Sequence, residues 1–361
     1  MKKLTNAEMC LVWLDSFSGL EYKHKLEIFN LIKGKENISS VLDGAKDYLL
    51  QNVGEEEFKT IKSASNPDYL KSVLFDLEKN DVLPVTICSD NYPTLLQDLP
   101  LAPLVLYASG DLSLLSEDCF AIVGSRKSPQ LSLNIAKDYV NTVLDAGFTV
   151  VTGIADGIDK VALETALDNN GKVISVIAGG FNNVYPKTNQ ALFDKVREKG
   201  LVLSEQPCSV QPKPYMFPVR NRIIAGLSKG VLIVSAGKKS GTIYTAEYAE
   251  EYSRDLFAVP YSVGVSCGEG TNDLIKRGAI LTDSPTDILS HYGIETRVEE
   301  KPQLTDAENQ ILDILKDGEM HIEKISLKLN KKIFEITPIV ALLEVKGYIC
   351  RAGINVYSLS R

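Results

Sequence analysis

Three histidines and six cysteines in 361 residues leave little from which to build a metal centre. The cysteines (Cys10, Cys88, Cys119, Cys208, Cys267 and Cys350) lie far apart and form no CxxC pair. This spacing argues against metal binding and, in a chain that reads as cytosolic, against a disulfide framework. No apolar run is long enough to span a bilayer, and Met1–Lys2–Lys3 leads into mixed residues rather than a signal-peptide core. The expectation is a cytoplasmic protein without membrane insertion, metal or cofactor. Both common nucleotide signatures are missing as well. GKKSGT (237–242) lacks the first glycine of GxxxxGK[ST], and no long GxGxxG with an acidic residue ending the next strand occurs. No Ser/His/Asp set or paired carboxylate presents itself. Asp156 and Asp159 share one turn, where such residues more often cap or turn the chain than catalyse. The lone Trp13 reads as core.

Positive charge is also short: 39 Lys and Arg against 47 Asp and Glu give a net charge of −8. Taken alone, this argues against a nucleic-acid protein. The charges are segregated, however. Residues 211–241 hold Lys213, Arg220, Arg222, Lys229, Lys238 and Lys239 without one Asp or Glu, while acidic groups crowd at 55–57, 247–251 and 299–300. A locally basic surface on an acidic protein is the better description.

The first 80 or so residues read as a small helical domain. In LVWLDSFSGLEYKHKLEIFNLI, Leu11, Leu14, Phe17, Leu20, Leu26, Phe29 and Ile32 recur at helical intervals, with a break near Ser18–Gly19. From 81 to 293, near-continuous apolar runs (FAIVG, FTVVTG, VISVIAGG, LVLSE, GVLIVSAG, LFAVP) alternate with helical stretches such as SLNIAKDYVNTVLDAG. Strands buried on both faces and separated by crossover helices imply an α/β fold. The expected architecture is a Rossmann-like doubly wound, mostly parallel sheet with ligands at the carboxyl ends of its strands. A polar linker, 294–303, leads to a tail, 304–361, of three helices and a hairpin turning at Gly353, the pattern of a winged-helix domain.

Several groups that suit an anion gather at the strand ends. The first core strand runs into Gly124, Ser125 and Arg126, and the third into Gly179–Gly180 followed by Tyr185 and Lys187. GVLIVSAG leads to Lys238, Lys239, Ser240, Gly241 and Thr242, and FPVRNRIIAGLS sets Arg220, Asn221 and Arg222 at a helix start. Turn amides, helix N-termini and guanidinium forks hold phosphate oxygens. One such turn is no more than a doubly wound sheet needs. Four at one edge with these cations point to a polyanion.

The motifs YPTLLQDLPLAPLVLYASGDL, IVGSRKSP, VVTGIADGID, FPVRNRIIAGLS, SGTIYTAEYAEE and NDLIKRGA, in this order over roughly 90–283, resemble the DNA processing protein A (DprA/Smf) family. The resemblance implies a protein that binds and protects incoming single-stranded DNA during natural transformation. It also implies a homodimer, formed through the late Rossmann segment around 256–279, that helps load the RecA recombinase on DNA coated by single-strand-binding protein. Residue by residue, it implies phosphate contacts at Gly124, Ser125 and Arg126, Lys187, Gly179–Gly180, Asn221, Arg222 and Ser240–Gly241–Thr242. Lys213, Arg220, Lys238 and Lys239 are additions from the residues themselves. Tyr185, Tyr215 and Phe217 are candidates to stack bases, with Tyr215 and Phe217 equally readable as core. Two positions depart from the family. Leu163 stands where a histidine is common after GID, and Tyr261 where a glycine commonly follows FAVP.

The rival reading is an enzyme. The same Rossmann variant resembles phosphoribohydrolases that carry a glutamate three residues after a Gly-Thr. Here that place holds Thr245, and Glu247 lies two residues on, pointing elsewhere on a helix start. A third reading, a transcription regulator working through its tail, is weakened by ITPIVALLEVKG. That candidate recognition helix has a single basic residue for bases or phosphates, so a protein-contact or regulatory module is the better reading.

Overall fold

A capping box starts the first helix, Asn6–Asp15: the Thr5 hydroxyl accepts from the Glu8 amide, and the Glu8 carboxylate accepts from the Thr5 amide at 2.7 Å. The structure, a computed structural model, describes residues 4–32, 35, 37–97, 99–295, 304–316 and 318–359. Four more helices follow, Tyr22–Leu31, Ile38–Asn52, Glu55–Ser63 and Pro67–Lys79. They enclose a core containing Trp13, whose indole N–H donates to the Ala64 carbonyl at 2.8 Å. The neighbouring Leu11 and Val12 pack instead into the core of the following sheet. These helices and the sheet therefore form one compact unit, Met1–Glu295, and Thr296–Arg361 forms a second. Residues 296–303, most of the expected linker, lie outside the described residues.

Among the described residues the sheet has nine strands: β1 Leu83–Thr86, β2 Val105–Gly110, β3 Cys119–Gly124, β4 Thr149–Thr152, β5 Val173–Ile177, β6 Leu201–Ser204, β7 Gly230–Ser235, β8 Asp255–Ala258 and β9 Ile280–Leu281. Their order is β1-β2-β6-β5-β4-β3-β7-β8-β9. From β6 to β9 all neighbours are parallel, whereas β2 joins β6 and β1 joins β2 antiparallel. Every residue of β4, β5, β6 and β7 is buried, which is why these strands read as unbroken apolar runs. Successive side chains enter opposite cores: Phe120 and Ile122 one, Ala121 and Val123 the other. The chain winds outward from β3 through β4 and β5 to β6, then returns to β7 beside β3 and winds the other way. The strand order reverses between β3 and β7, and a doubly wound sheet opens a crevice at the carboxyl end of such a reversal.

The second unit has the element order of a winged helix. Helices Asp306–Leu315, Ile322–Leu329 and Ile333–Val345 pack around Ile311, Leu315, Ile325, Ile336, Val340 and Leu343. A three-stranded sheet, β10 Met320–His321, β11 Ile349–Gly353 and β12 Val356–Leu359, has the order β10-β12-β11. The hairpin turns at Ile354–Asn355, with Asn355 at φ +55°, and not at Gly353, which still pairs with Val356. Asparagine is one of the few residues besides glycine that adopt that left-handed backbone, its short polar side chain hydrogen-bonding locally.

Glu308 ties this unit together, accepting from Lys346 Nζ at 2.6 Å and from the Thr305 amide at 2.7 Å. The Lys346 hydrogen bond and then the Thr305 amide hold its carboxyl well below the ordinary 4.5, at about 2. A carboxyl depressed in the folded state binds fewer protons there than when unfolded, so its stabilisation is present above pH 4.5 and is lost as pH falls towards 2. Hydrogen exchange in Asp306–Leu315, corrected for its intrinsic pH dependence, should quicken over that window in the full chain. Glu308→Gln keeps the capping geometry and should flatten the response. An equally steep response in the variant would remove Glu308 as its source.

Candidate functional site

The crevice predicted by the strand reversal is occupied by a cleft of about 720 Å³. One wall is the turn after β3, Gly124 to Lys127, and the facing wall is Ser240, Gly241 and Thr242, after β7. The two walls are joined by the Ser125 amide donating to the Ser235 carbonyl at 2.9 Å. Beneath the first wall, helix Ile158–Asp168 starts at Gly157, with φ +82°. A Cβ there would stand 2.3 Å from the Ser125 carbonyl oxygen, so only glycine lets the helix start this close under the Gly-Ser-Arg turn. On the second wall Thr242 precedes helix Ile243–Glu251 without a side-chain cap. The Ile243 amide donates to the Ser240 carbonyl and the Thr245 amide to the Thr242 carbonyl, so what this wall offers an anion is the partial positive charge of the helix start.

Helix Met216–Leu227 closes the cleft with Phe217, Arg220 and Asn221, which share a face at i, i+3 and i+4. The exposed Arg126 guanidinium lies 5.2 Å from the centre of the Phe217 ring, and Tyr185 meets that ring edge-on at 5.6 Å. Asn221 donates to the Gly241 carbonyl at 3.3 Å and accepts from Arg220 Nε at 3.1 Å, bridging the helix to the second wall. Arg220 is buried at the floor, donating to the Val176 carbonyl. Burial lowers its pKa to about 10 against the pull of Asp159. Asp159 is the acidic residue among the lining side chains. Burial raises its pKa, with the Arg220 charge opposing the rise. The cleft thus offers two exposed cations, Arg126 and Lys127, a helix N-terminus and an aromatic pair around a floor whose charges largely offset one another.

The structure separates other residues that the sequence grouped together. Arg222, one step round the helix from Asn221, leaves this cleft and pairs with Glu205 between the sheet and the N-terminal helices, under the Tyr22 ring at 5.6 Å. Burial works against its charge, and Glu205 outweighs it and holds Arg222 protonated. An arginine already paired and nearly fully buried is not poised for a strand backbone. Gly179–Gly180 is also covered. The Gly180 amide donates to the Val210 carbonyl at 2.8 Å, and a Cβ on Gly180 would fall 2.0 Å from the Pro207 carbonyl oxygen. This glycine serves close packing of the loop after β6. That loop is a ridge: Pro212 and Pro214 line the first cleft, and Gln211, Lys213 and Tyr215 line a second one on its other side. Tyr215, 62% exposed, is therefore not a core residue, and Phe217 is a cleft wall. Lys187 is exposed on the turn after Tyr185–Pro186, and Lys238 and Lys239 are exposed beside Ser240. Lys229 precedes β7, at the opposite end of the sheet, and pairs with Asp118 at 2.6 Å. Sequence reasoning treated Asp159 only as a turn residue and passed over Lys127. The signal for Asp159 was its place at the first turn of a helix starting under the Gly-Ser-Arg turn.

Known proteins share this chain's sequence and fold. Residues 84–293 match the family model of DNA recombination-mediator protein A. The DNA processing protein DprA of Bacillus subtilis is 35% identical over 246 residues, 67% of this chain and 83% of that protein. The X-ray structure of DNA processing protein A from Streptococcus pneumoniae matches with a TM-score of 0.63 at 32% identity, covering 80% of this chain and 98% of that one. The Helicobacter pylori protein, whose structure concerns its single-stranded DNA binding mode, matches with a TM-score of 0.54 at 28% identity, covering 58% and 95%. With the family model spanning more than half of the chain and the motifs at 90–283 falling within it, the chain belongs to the DNA recombination-mediator protein A family.

Proposed function

We propose that this protein binds single-stranded DNA by its phosphates at the cleft between β3 and β7. It does so as a homodimer that protects incoming strands and helps load RecA recombinase on DNA covered by single-strand-binding protein, in natural transformation and recombination in the cytoplasm. The observation that carries the reading is the exposed Arg126 guanidinium on the Phe217 face, opposite an uncapped helix N-terminus. A phosphate between them meets a cation and the positive end of a helix, while Tyr185 and Phe217 offer rings to adjacent bases. That the Helicobacter pylori relative binds single-stranded DNA supports such a strand as the ligand. Val263 and Val265, exposed in the segment 256–279, suit a contact between two copies. We read the five N-terminal helices as SAM-like and the second unit as a winged-helix domain.

As a binder rather than an enzyme, the protein needs no catalytic group in the cleft. The hydrolase alternative needs a carboxylate where Thr245 lines the wall, and Glu247 is exposed outside the lining.

Lys187→Ala should weaken binding to labelled oligo-dT and to mixed-sequence single strands by the same factor, because a phosphate contact carries no sequence information. Unchanged affinity would remove this turn from the track. Failure of the folded wild type to bind any single strand would overturn the reading and favour a nucleotide hydrolase, to be sought with nucleoside monophosphates.

A further inference from the structure

Helix Ile333–Val345 is apolar on two sides. Ile336, Val340 and Leu343 face inward and are fully buried in the core of the second unit. On the outward side Phe334, Thr337, Pro338, Ala341 and Leu342 are exposed, at the i, i+3, i+4, i+7 and i+8 spacing of a buried helix stripe. Phe334 is 70% exposed, and Leu327, on helix Ile322–Leu329, is 81% exposed. A helix that is apolar all round is ordinarily covered on both sides, and an exposed stripe of this kind marks an interaction site.

The charges around the stripe say what covers it. Lys331 and Lys332 immediately precede this helix, with Lys332 Nζ 5.7 Å from the Phe334 ring centre. Of the acidic groups of the same helix, Glu335 accepts from the Lys332 amide at 2.8 Å in the capping box at that end, and Glu344 pairs with Arg351 at 3.1 Å. Two copies meeting with these helices parallel would oppose lysines to lysines. A nucleic acid draws its affinity from phosphate contacts and its specificity from donors to base edges, and the centre of the stripe offers neither.

We propose that this face docks an acidic, amphipathic peptide segment of a partner protein, its apolar side chains on Phe334, Pro338 and Leu342 and its carboxylates at Lys331 and Lys332. The test is fluorescence anisotropy of a fluorescein-labelled synthetic peptide of alternating Asp-Asp and Phe-Leu pairs, titrated with the full chain. A second peptide carries Lys in place of Asp. The acidic peptide should bind saturably, and Phe334→Asp should weaken it at least ~10-fold, as loss of an aromatic anchor does. Lys331→Glu combined with Lys332→Glu should weaken the acidic peptide and favour the basic one. Oligo-dT binding, held by the first unit, should stay unchanged in both variants. Absence of saturable binding, or an unaffected Phe334→Asp, would overturn the proposal. So would a loss of oligo-dT or duplex affinity in Phe334→Asp, which assigns the face to nucleic acid, or a smaller solution mass of that variant, which assigns it to a second copy.

Discussion

Arg126→Ala should lower the affinity for single-stranded DNA by roughly 10- to 100-fold, and by the same factor for every sequence. The magnitude follows from the loss of a charge-assisted phosphate contact, about 1.5–3 kcal/mol. Arg126 has no ion pair among the described residues; its guanidinium rests on the Phe217 ring. Its removal therefore strips charge from the cleft wall without breaking a buried network, and the thermal transition should stay near that of the wild type. Titration of labelled oligo-dT and mixed-sequence strands, with a melting curve on each preparation, checks both halves. A loss confined to particular sequences would mean base readout and a different site. An equal loss of affinity and stability would mean that the turn had collapsed.

Glu205→Ala should show the opposite profile. Its carboxylate is the partner of Arg222, and the side chains are 14% and 5% exposed, so the substitution leaves a buried guanidinium without its counter-charge. Breaking such a pair from one side costs about 3–5 kcal/mol. In a unit of this size that lowers the melting temperature by about 10 °C. Arg222 also lies under Tyr22, the first residue of the second N-terminal helix. The nearby Asp15–Lys25 pair, at 2.9 Å, extends the same seam. Faster hydrogen exchange should therefore centre on Tyr22–Leu31. The molecules that remain folded should bind oligo-dT as the wild type does, because Arg222 faces away from the β3–β7 cleft. Replacing both partners, Glu205→Leu with Arg222→Met, should recover much of the stability. A folded, stable Glu205→Ala protein that had lost DNA affinity would put Arg222 back on the strand.

The sequence carried the sheet's central strands and its cleft, and the reason is burial. A parallel strand covered on both faces is apolar throughout, so β3 to β8 stand out without an alignment, and the residues ending β3 and β7 mark the crevice once the strand order reverses between them. The edge was harder to read. β1 is four residues with Pro84 inside, β9 is two residues, and β10 is two residues, all too short for a periodic signal. The same limit applies to the site. Arg220, Asn221 and Arg222 are adjacent in sequence, and a run of basic residues does not say which of them a helix turns inward. A rotation of about 100° per residue sends Asn221 to the cleft and Arg222 to Glu205. Gly180 likewise shows the two uses of glycine that a sequence cannot tell apart, an open amide for an anion or room for another backbone. Here the Pro207 carbonyl decides it.

The central claim is that the cleft between β3 and β7 neutralises strand phosphates, and the salt dependence of binding tests it most directly. Oligo-dT and matched-duplex affinities would be measured by anisotropy across a salt series for the wild type and for Arg126→Ala. The account predicts tight, duplex-averse binding by the wild type, with a log–log slope of about −0.7 per phosphate contacted. It predicts a slope shallower by about one phosphate contact, about 0.7, in the variant. A wild-type affinity indifferent to salt, or a slope that Arg126→Ala leaves unchanged, would contradict it.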